Sequence, residues 1–326
     1  MIMEDTFRWA FIGTGNLATR AARLITSSGR HRIVSVFTRD PAKCNMFAKE
    51  YDAYAADNAK DAIDRMDVDA VYVATPHTSH YEYAKLAIEL GKPVLCEKPV
   101  CTDAGMVKDL IQLSHEKNIY FTEAMWTWFS PVSWQVKHWL DTGEFGEVKK
   151  VHVTYCMHSI ASSPRLIDPN LAGGALLDIG IYPLTYIYRL FGMPDKIECK
   201  GRVKKGIDTG EKIRLYYPGN KVYTVSVSIV NPLGRENLWL YGTEGKLHLR
   251  GYYRASEAKL IRRHGMSQTF HGDGNILHEF DVVAREIRQG LSESEYVPHQ
   301  ATLDVMKLMD ECRKQMNLVY PFETKA

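Results

Sequence analysis

The sequence lacks the features of several protein classes. Its 326 residues contain no run of about 18 apolar residues, so no segment is expected to span a membrane. No sustained heptad or Gly-X-Y period occurs, which excludes a coiled coil and a collagen. The 41 basic and 39 acidic residues give a net charge of +2, so neither nucleic acid nor an anionic membrane is expected as the main partner.

Signs of a disulfide framework, a metal site or a secretory signal are also missing. The six cysteines are scattered, without a Cys-x-x-Cys pair, and predict reduced, mostly packed thiols of a cytoplasmic protein. The twelve histidines include no His-Glu-x-x-His arrangement, and His77 and His80 have no third ligand at a suitable spacing, so no metal ion is expected. Two acidic residues precede the first apolar run and there is no small-residue cleavage site, which predicts that no secretory signal is present.

The first 124 residues alternate between short apolar strands and helices. The predicted strands cover residues 7–12, 33–37, 70–74, 93–96 and 119–121. Because helices of about ten to fifteen residues separate them, the pattern predicts a doubly wound parallel sheet with helices on both faces. The turns that follow parallel strands gather at one edge of such a sheet, where ligands bind.

The remaining residues, 125–326, change in character. Alternating apolar and polar residues predict strands at 148–155, 213–217, 222–230, 237–241 and 246–250. Helical segments are expected at 133–142, 181–191, 278–289 and 302–315. The sequence therefore predicts an α/β protein, with a doubly wound nucleotide-type domain over 1–124 and an α+β domain with a mostly antiparallel sheet over 125–326.

A glycine-rich turn follows the first predicted strand and opens a helix. Its residues are Gly13, Thr14, Gly15, Asn16, Leu17 and Ala18, which fit G-x-G-x-x-G/A. Gly13 permits the tight turn, Gly15 lets a pyrophosphate approach the backbone, and Ala18 lets the helix pack close to the strand. In this strand–turn–helix context the motif predicts dinucleotide binding.

The end of the second predicted strand indicates which dinucleotide is bound. An NAD-binding domain usually places an acidic residue there, but this strand ends in Thr38 and Arg39. Because a guanidinium pairs well with a 2′-phosphate, the residues favour NADP over NAD, and Thr38 is equally able to contact the phosphate. The alternative is that Arg39 is a solvated loop residue and that Asp40 reaches the ribose.

Polar residues also follow the third and fourth predicted strands, at the same edge of the sheet. Thr75, Pro76, His77 and His80 are placed to line the nicotinamide half of a cofactor, although this segment also fits a helix cap. Glu97 and Lys98 end an apolar strand. A lysine there is able to hydrogen-bond a substrate hydroxyl and stabilise the developing alkoxide, and the alternative is a surface ion pair.

A second glycine-rich segment, at residues 173–180, precedes a predicted helix in the second half. Asp178 and Tyr182 are four residues apart and share a helix face if the helix has begun by Asp178. Pro183 instead favours a helix start near Tyr182. A phenol becomes a general base when a nearby ammonium group favours its anion. The alternative is an N-cap aspartate and a packing tyrosine.

Four of these motifs follow the order of one known family. They are Gly13-x-Gly15-x-x-Ala18, Ala74-Thr75-Pro76-His77-x-x-His80, Gly91-Lys92-x-Val94-Leu95-Cys96-Glu97-Lys98-Pro99 and Gly173-Gly174-Ala175-Leu176-x-Asp178-Ile179-Gly180. Over nearly its whole length the chain resembles the Gfo/Idh/MocA oxidoreductases, which include glucose–fructose oxidoreductase and inositol dehydrogenase. The resemblance implies a Rossmann dinucleotide-binding domain over 1–124 and a substrate-binding domain over 125–326. The large open sheet of the second domain is often the dimer face, which implies a homodimer or higher homo-oligomer.

Within that family, Tyr182 is the distinguishing residue, because many members carry histidine there. A tyrosine at this place, with Trp126 ahead of it, is similar to the NADP-dependent trans-1,2-dihydrodiol and D-xylose dehydrogenase branch. The resemblance implies that Tyr182 moves the hydroxyl proton, Lys98 holds the oxygen and Asp178 orients the substrate. Trp128 departs from relatives, which often carry arginine there, and this implies a different substrate specificity.

The sequence thus predicts an NADP-preferring dehydrogenase that transfers hydride between nicotinamide and a secondary alcohol or hemiacetal carbon of a sugar, polyol or diol. The expected cofactor-binding residues are Gly13, Thr14, Gly15, Asn16, Leu17, Thr38, Arg39, Thr75, Pro76, His77, His80, Glu97, Lys98 and Trp126. Trp126, Phe129 and Tyr155 are candidates for apolar pocket walls. Two alternatives remain: a non-catalytic NAD(P)-binding sensor, and an NAD-dependent glycoside hydrolase of the same family.

Overall fold

The computed structural model describes residues 6–158 and 163–323. The chain divides into two compact units, Met1–Met125 with Ile276–Thr302, and Trp126–Asn275 with Leu303–Ala326. The predicted domain boundary at residue 124 stays a prediction. In the described ranges, none of the helices has both the length and the apolar composition needed to cross a lipid bilayer.

The first unit contains parallel strands that alternate with helices. Its elements in chain order are β1 (Phe7–Ile12), α1 (Asn16–Ser27), β2 (His31–Phe37), α2 (Pro41–Tyr51), β3 (Tyr54–Ala55), α3 (Ala59–Ile63), β4 (Ala70–Val73), α4 (His80–Glu89), β5 (Val94–Glu97), α5 (Ala104–Lys117), β6 (Phe121–Ala124) and, much later, α9 (Leu277–Arg288). The described strands form one six-stranded sheet in the order β3-β2-β1-β4-β5-β6, and every pairing is parallel. The predicted doubly wound sheet is confirmed.

The core of this sheet is aromatic where α9 packs against it. The Phe280 ring lies 5.0 Å from the Trp9 ring and 5.0 Å from the Tyr72 ring, between centroids. All three side chains are fully buried. Because α9 fills this face, the segment Ile276–Thr302 belongs to the first compact unit although it follows the second sheet in sequence.

The predicted fifth strand is displaced, and one strand was not predicted. The structure places β6 at Phe121–Ala124, whereas the pattern favoured residues 119–121. The strand contains a glutamate, Glu123, and therefore does not read as an apolar run. The Glu123 carboxyl group is nevertheless buried and accepts hydrogen bonds from Val100 N and Thr302 Oγ1. Strand β3 has only two residues, too few for a periodic signal.

The second unit is built on a larger sheet. Its elements are α6 (Trp126–Phe129), α7 (Pro131–Asp141), β7 (Val148–His158), α8 (Ile181–Phe191), β8 (Lys196–Lys204), β9 (Ile207–Tyr217), β10 (Lys221–Ser228), β11 (Val230–Gly242), β12 (Gly245–Arg250), β13 (Glu257–Arg262), β14 (Gln268–His271) and α10 (His299–Gln315), whose first turn lies in the other unit. The described strands form one eight-stranded sheet in the order β14-β13-β12-β11-β7-β10-β9-β8. Only the β7–β10 pairing among them is parallel, so the predicted mostly antiparallel sheet is confirmed.

This sheet has one apolar and one mixed face. Along β11, Leu238 and Leu240 are fully buried, while Trp239 and Tyr241 alternate with them and are partly exposed. Helix α8 packs against β7 of this sheet. Strands β8, β13 and β14 were not predicted; β8 is largely exposed and polar, and β14 has only four residues.

The cysteine side chains are packed in the interior, as the sequence predicted. All six cysteines lie in the described ranges, are buried and form no disulfide. No group of three or more His, Cys, Asp or Glu side chains in the described residues is arranged to hold a metal ion.

Candidate active site

The turn between β1 and α1 is shaped by its two glycines. Gly13 has φ +105°, and a Cβ there would lie 2.3 Å from the carbonyl oxygen of Ala74, so only glycine fits. Its N–H donates to the Phe37 carbonyl at 2.8 Å, which ties the turn to the end of β2. A Cβ at Gly15 would meet nothing within 4 Å, and the backbone there is open to a ligand.

The residues present fit the phosphates of a dinucleotide. Gly15 is the N-cap of α1 and makes no side-chain cap hydrogen bond, and the first turn carries no acidic residue. Asn16 is exposed and Leu17 is 37% exposed, whereas Ala18 is fully buried. The N–H groups at the start of α1 are therefore available to an anion, and the helix dipole favours negative charge there.

The structure gives Asp40 a definite role at the end of β2. Its carboxylate accepts the backbone N–H groups of Ala42 and Lys43 at 3.1 and 3.2 Å and so caps α2. The Lys43 hydrogen bond is the largest cause that holds the pKa of Asp40 below its usual range. Thr38 is partly exposed and Arg39 is exposed at the same edge of the sheet. Because the Asp40 carboxylate caps α2, it is less available to bind a ribose hydroxyl. Arg39 beside it is suited to bind a 2′-phosphate.

His80 joins two of the predicted ligand loops. Its Nε2 lies 2.8 Å from the Thr75 carbonyl oxygen, and its Nδ1 lies 2.8 Å from the Pro99 carbonyl oxygen. The side chain is 1% exposed and therefore acts as a strut between the loop after β4 and the loop after β5. His77, in the short 3₁₀ turn before α4, is also buried, and its ring centroid lies 5.8 Å from that of His80.

Glu97 is directed into the first unit. Tyr72 Oη donates to Glu97 Oε1 at 2.6 Å, and the Lys98 N–H donates to Oε2 at 3.3 Å. Burial raises the pKa of Glu97 to about 7, although the Tyr72 hydrogen bond and the Lys98 charge oppose this. Lys98 itself is partly exposed at the carboxyl end of β5. Thus the two neighbouring residues differ: the glutamate is packed, and the lysine stands at the ligand edge.

A second buried acid lies in the same region. Glu279, in the first turn of α9, is 1% exposed, and neither of its carboxyl oxygens has a hydrogen-bond partner in the described part of the chain. Burial, reinforced by the neighbouring Glu97 charge, raises the pKa of Glu279 far above its usual range.

In the second unit, Asp178 and Tyr182 belong to one continuous helical stretch. A π-helical turn at Leu176–Gly180 runs directly into α8, so the helix begins earlier than Pro183 suggested. Such turns are rare and are frequent at functional sites. Asp178 and Tyr182 are 9% and 7% exposed, about one helical turn apart.

Tyr182 lies in an aromatic cluster. Trp126 Nε1 donates to Tyr182 Oη at 3.1 Å. The Tyr182 ring centroid is 5.3 Å from that of Tyr253 and 5.8 Å from that of Tyr155, and the last two rings stack at 4.8 Å. Burial raises the pKa of Tyr155 far above its usual range, so this phenol stays protonated. The cluster therefore offers an apolar wall beside one hydrogen-bonded phenol.

The remaining predicted residues of this unit have clear positions. Arg165 Nη2 lies 2.7 Å from Asp178 Oδ1, an ion pair that orients the carboxylate. Phe129 is 3% exposed and packs as core. Trp128 is also buried and stacks on Tyr188 at 6.4 Å between ring centroids.

Two residues of this arrangement were missed from the sequence. Arg165 stands in a short 3₁₀ turn, Pro164–Ile167, and nothing in the sequence pattern connects it to Asp178. Tyr253 follows Gly251 in a short 3₁₀ turn, and its only signal is the Tyr252-Tyr253 pair in an otherwise unassigned loop. Tertiary contacts across more than 70 residues bring Tyr253 to Tyr182.

The fold, the phosphate-binding turn of the first unit and the Asp178 and Tyr182 arrangement of the second are typical of a nicotinamide-dependent oxidoreductase. A model of the oxidoreductase family with the NAD-binding Rossmann fold matches residues 7–124, and the GFO/IDH/MocA C-terminal domain matches residues 134–248. The chain belongs to the Gfo/Idh/MocA oxidoreductase family, as its motifs predicted.

Similar proteins span almost the full chain. The mouse trans-1,2-dihydrobenzene-1,2-diol dehydrogenase is 28% identical, over 96% of this chain and 98% of its own length. The D-xylose 1-dehydrogenase (NADP⁺) of Hypocrea jecorina is 27% identical, over 97% and 93%. Among solved structures, a 3-ketoreductase from Actinomadura kijaniata in complex with NADP and TDP-benzene has a TM-score of 0.86 at 21% identity, covering 96% of this chain and 98% of that one. This last similarity concerns the fold.

Proposed function

We propose that the protein is an NADP-dependent dehydrogenase that acts on a secondary alcohol or hemiacetal carbon of a sugar, polyol or diol. The observation that carries the proposal is the partly enclosed phenol of Tyr182, hydrogen-bonded by Trp126 and about one helical turn from Asp178. A cofactor-binding sensor needs the phosphate turn but not this arrangement. The named relatives, a diol dehydrogenase and a xylose dehydrogenase, support the substrate class.

The cofactor is proposed to bind along the carboxyl edge of the parallel sheet. The turn at Gly13–Gly15 and the start of α1 would take the pyrophosphate, and Thr38 with Arg39 would take the 2′-phosphate. The loops at Thr75–His77 and Lys98, which His80 braces, would line the nicotinamide half. When bound, the nicotinamide supplies the hydride acceptor in oxidation and the hydride donor in reduction.

The protein's own residues handle the proton and the oxygen. During oxidation the phenolate form of Tyr182 takes the hydroxyl proton at Oη as the carbinol C–H bond breaks, and a carbonyl forms on the substrate. The family resemblance assigns Lys98 the role of holding the substrate oxygen and stabilising its developing charge. Asp178, held by Arg165, accepts a substrate hydroxyl and fixes the orientation of the sugar or diol. Reduction follows the reverse path.

The protein is further proposed to act as a homodimer in the cytoplasm. Six buried, unpaired thiols suit a reducing compartment. The mixed face of the larger sheet carries a row of stacked rings, with Trp239 3.7 Å from His248 and 5.7 Å from Tyr241 between centroids. A second copy of the chain, placing the same face against it, would bury these rings. Sedimentation should give twice the chain mass, and Trp239→Arg should give the single-chain mass.

The test of activity is a cofactor-linked absorbance assay. Purified protein is incubated with NADP⁺ or NAD⁺ and a panel of aldoses, polyols and trans-diols, and nicotinamide reduction is followed at about 340 nm. In the reverse assay, NADPH is incubated with the ketones and aldehydes that correspond to the panel, and its oxidation is followed. Turnover with NADP⁺ and at least one panel member is expected. Cofactor binding without turnover in either direction would support the sensor. Glycoside cleavage without net nicotinamide reduction would support the hydrolase.

A further inference from the structure

The helical stretch that carries Asp178 and Tyr182 is capped by a residue from another element. Its N-cap residue, Ala175, makes no side-chain cap hydrogen bond. Instead, Asp208 Oδ2 in β9 accepts the backbone N–H groups of Ala175 and Leu176, at 2.8 and 2.6 Å. Asp208 is fully buried. A carboxyl oxygen at this place satisfies two N–H groups that a helix start leaves open and complements the helix dipole.

The turn before this helix is shaped to receive Asp208. Gly174 has φ +125°, and a Cβ there would lie 2.0 Å from Asp208 Oδ1. A Cβ at Gly173 would lie 2.7 to 2.8 Å from the carbonyl oxygens of Leu166 and Arg165. The two glycines thus let the turn fit closely between Asp208 on one side and the segment that bears Arg165 on the other.

A second residue holds the same turn from the C-terminal part of the chain. Tyr320 Oη donates to the Gly173 carbonyl at 3.2 Å, and the Tyr320 side chain is fully buried. The turn at residues 173–176 is therefore bonded through its carbonyl to Tyr320 and through two N–H groups to Asp208. We call Asp208 and Tyr320 the turn clamp.

We propose that the turn clamp positions the reacting residues, with Asp208 as the principal positioning residue and Tyr320 as its support. The inference rests on the proposed function, because it concerns where Tyr182 and Asp178 stand relative to the substrate. A helix transmits a shift of its first turn along its length. A misplacement of about 1 Å at a reacting group lowers a rate by up to about 100-fold.

The experiment separates positioning from folding. Asp208→Ala removes the acceptor, Asp208→Asn keeps one acceptor oxygen, and Tyr320→Phe removes a single hydroxyl. Asp103→Ala is the matched control, since Asp103 accepts the Met106 backbone N–H at 2.9 Å at the start of α5, in the other unit. For each variant kcat, KM, the NADPH dissociation constant and Tm are measured.

The expected pattern is a loss of turnover without a loss of cofactor. Asp208→Ala should lower kcat at least about 10-fold and leave the NADPH dissociation constant within about 2-fold, because the phosphate turn lies in the first unit. Asp208→Asn should restore most of kcat. Tyr320→Phe should lower kcat about 2- to 5-fold. Asp103→Ala should lower Tm and leave kcat within about 2-fold.

Each contrary result has a distinct meaning. If the wild type is active and both Asp208→Ala and Tyr320→Phe keep its kcat, the positioning role is overturned and the proposed function is left intact. If Asp208→Ala does not fold, full kcat in Tyr320→Phe overturns it in the same way, and a kcat loss in Tyr320→Phe with an unchanged NADPH dissociation constant supports it. Wild type that binds NADPH but turns over no panel substrate overturns the proposed function and the positioning role together.

Discussion

Trp126 Nε1 donates a hydrogen bond to Tyr182 Oη across 3.1 Å, joining residues that are 56 positions apart. An indole N–H only donates, so the phenol oxygen is the acceptor and its own proton is not used in this bond. A donor aimed at a phenol oxygen stabilises the anion that forms when the proton leaves. The pair is therefore arranged to assist proton transfer at Tyr182.

Tyr182→Phe should abolish most of the activity. We expect kcat to fall by about 100-fold or more, because the proton acceptor is lost while the ring keeps its packing against Tyr253 and Tyr155. NADPH binding, measured by nicotinamide fluorescence, should be unchanged. Tyr186→Phe is the matched control, one turn farther along α8, where the phenol is fully buried and its pKa is raised by burial to about 12. Near-normal kcat in Tyr182→Phe would remove Tyr182 from the mechanism.

Trp126→Phe should weaken proton transfer without removing it. The variant keeps a ring near Tyr253 and loses the N–H donor, so we expect kcat to fall about 3- to 10-fold. The limb of the pH–kcat profile that reports loss of the phenol proton should move to higher pH. A fall in kcat with an unmoved limb would mean that Trp126 acts by packing alone. Trp128→Phe, on the same short helix, serves as the control for loss of an indole.

Arg39→Ala should separate the two cofactors. We expect NADP⁺ to bind at least about 10-fold more weakly and NAD⁺ within about 2-fold, because only the former carries a 2′-phosphate. Asp40→Ala tests the alternative. That variant should lose part of the α2 cap and some stability, yet bind NAD⁺ as the wild type does. Equal losses for both cofactors in Arg39→Ala would contradict the 2′-phosphate assignment.

Glu279→Gln should stabilise the protein at alkaline pH. Burial keeps this carboxyl protonated in the folded state, where its pKa lies far above the unfolded value of about 4.3. The unfolded chain releases the proton first, so wild-type stability falls as pH rises above about 4 to 5. Denaturant titrations should show little difference at pH 4 and a gain of at least about 1 kcal/mol for the variant at pH 8. The exposed Glu82→Gln is the control. A gain that is equal at both pH values would contradict the titration.

Asp281→Asn should change the acid stability. Burial alone would raise the pKa of Asp281, but the hydrogen bonds from His31 and Arg30 outweigh it and leave the pKa at about 2. A lowered pKa stabilises the fold above the unfolded value of about 3.9, and this contribution is lost as pH falls toward 2. We expect the variant to be about 1 to 2 kcal/mol less stable than wild type at pH 6, with the difference shrinking toward pH 2.

The control for Asp281→Asn is Asp52→Asn, whose carboxylate is almost fully exposed and lies 3.6 Å from Arg32. Exposed pairs contribute little, so this variant should unfold with wild-type stability. A difference for Asp281→Asn that stays constant from pH 6 to pH 2 would assign the effect to packing instead.

The fold class and the cofactor half of the site could be predicted because they depend on local pattern. Strand, glycine turn and helix are consecutive at residues 7–27, so the motif can be recognised locally, although the carbonyl that requires glycine at position 13 belongs to Ala74. Parallel strands then place the later motifs, at Thr75 and Lys98, on the same edge.

Other features carried no readable local signal. Strand β6 contains Glu123, which looks unsuited to a core until Val100 and Thr302 satisfy its carboxyl group. Likewise, Pro183 suggested a helix start near Tyr182, but the helical stretch begins at Leu176. This earlier start is possible because the N–H groups there have hydrogen-bond acceptors. Asp208 supplies those bonds from β9.

The sequence alone determined the class of the protein, since its motifs and alternating elements are short-range patterns that identify an NAD(P)-binding oxidoreductase family. Tertiary structure decided which side chains meet: Trp126 with Tyr182, Arg165 with Asp178, and Asp208 with the glycine turn. The physical reason is that each pair joins residues at least 13 positions apart in the chain. Only the packing of helices against the second sheet brings such residues within hydrogen-bond distance.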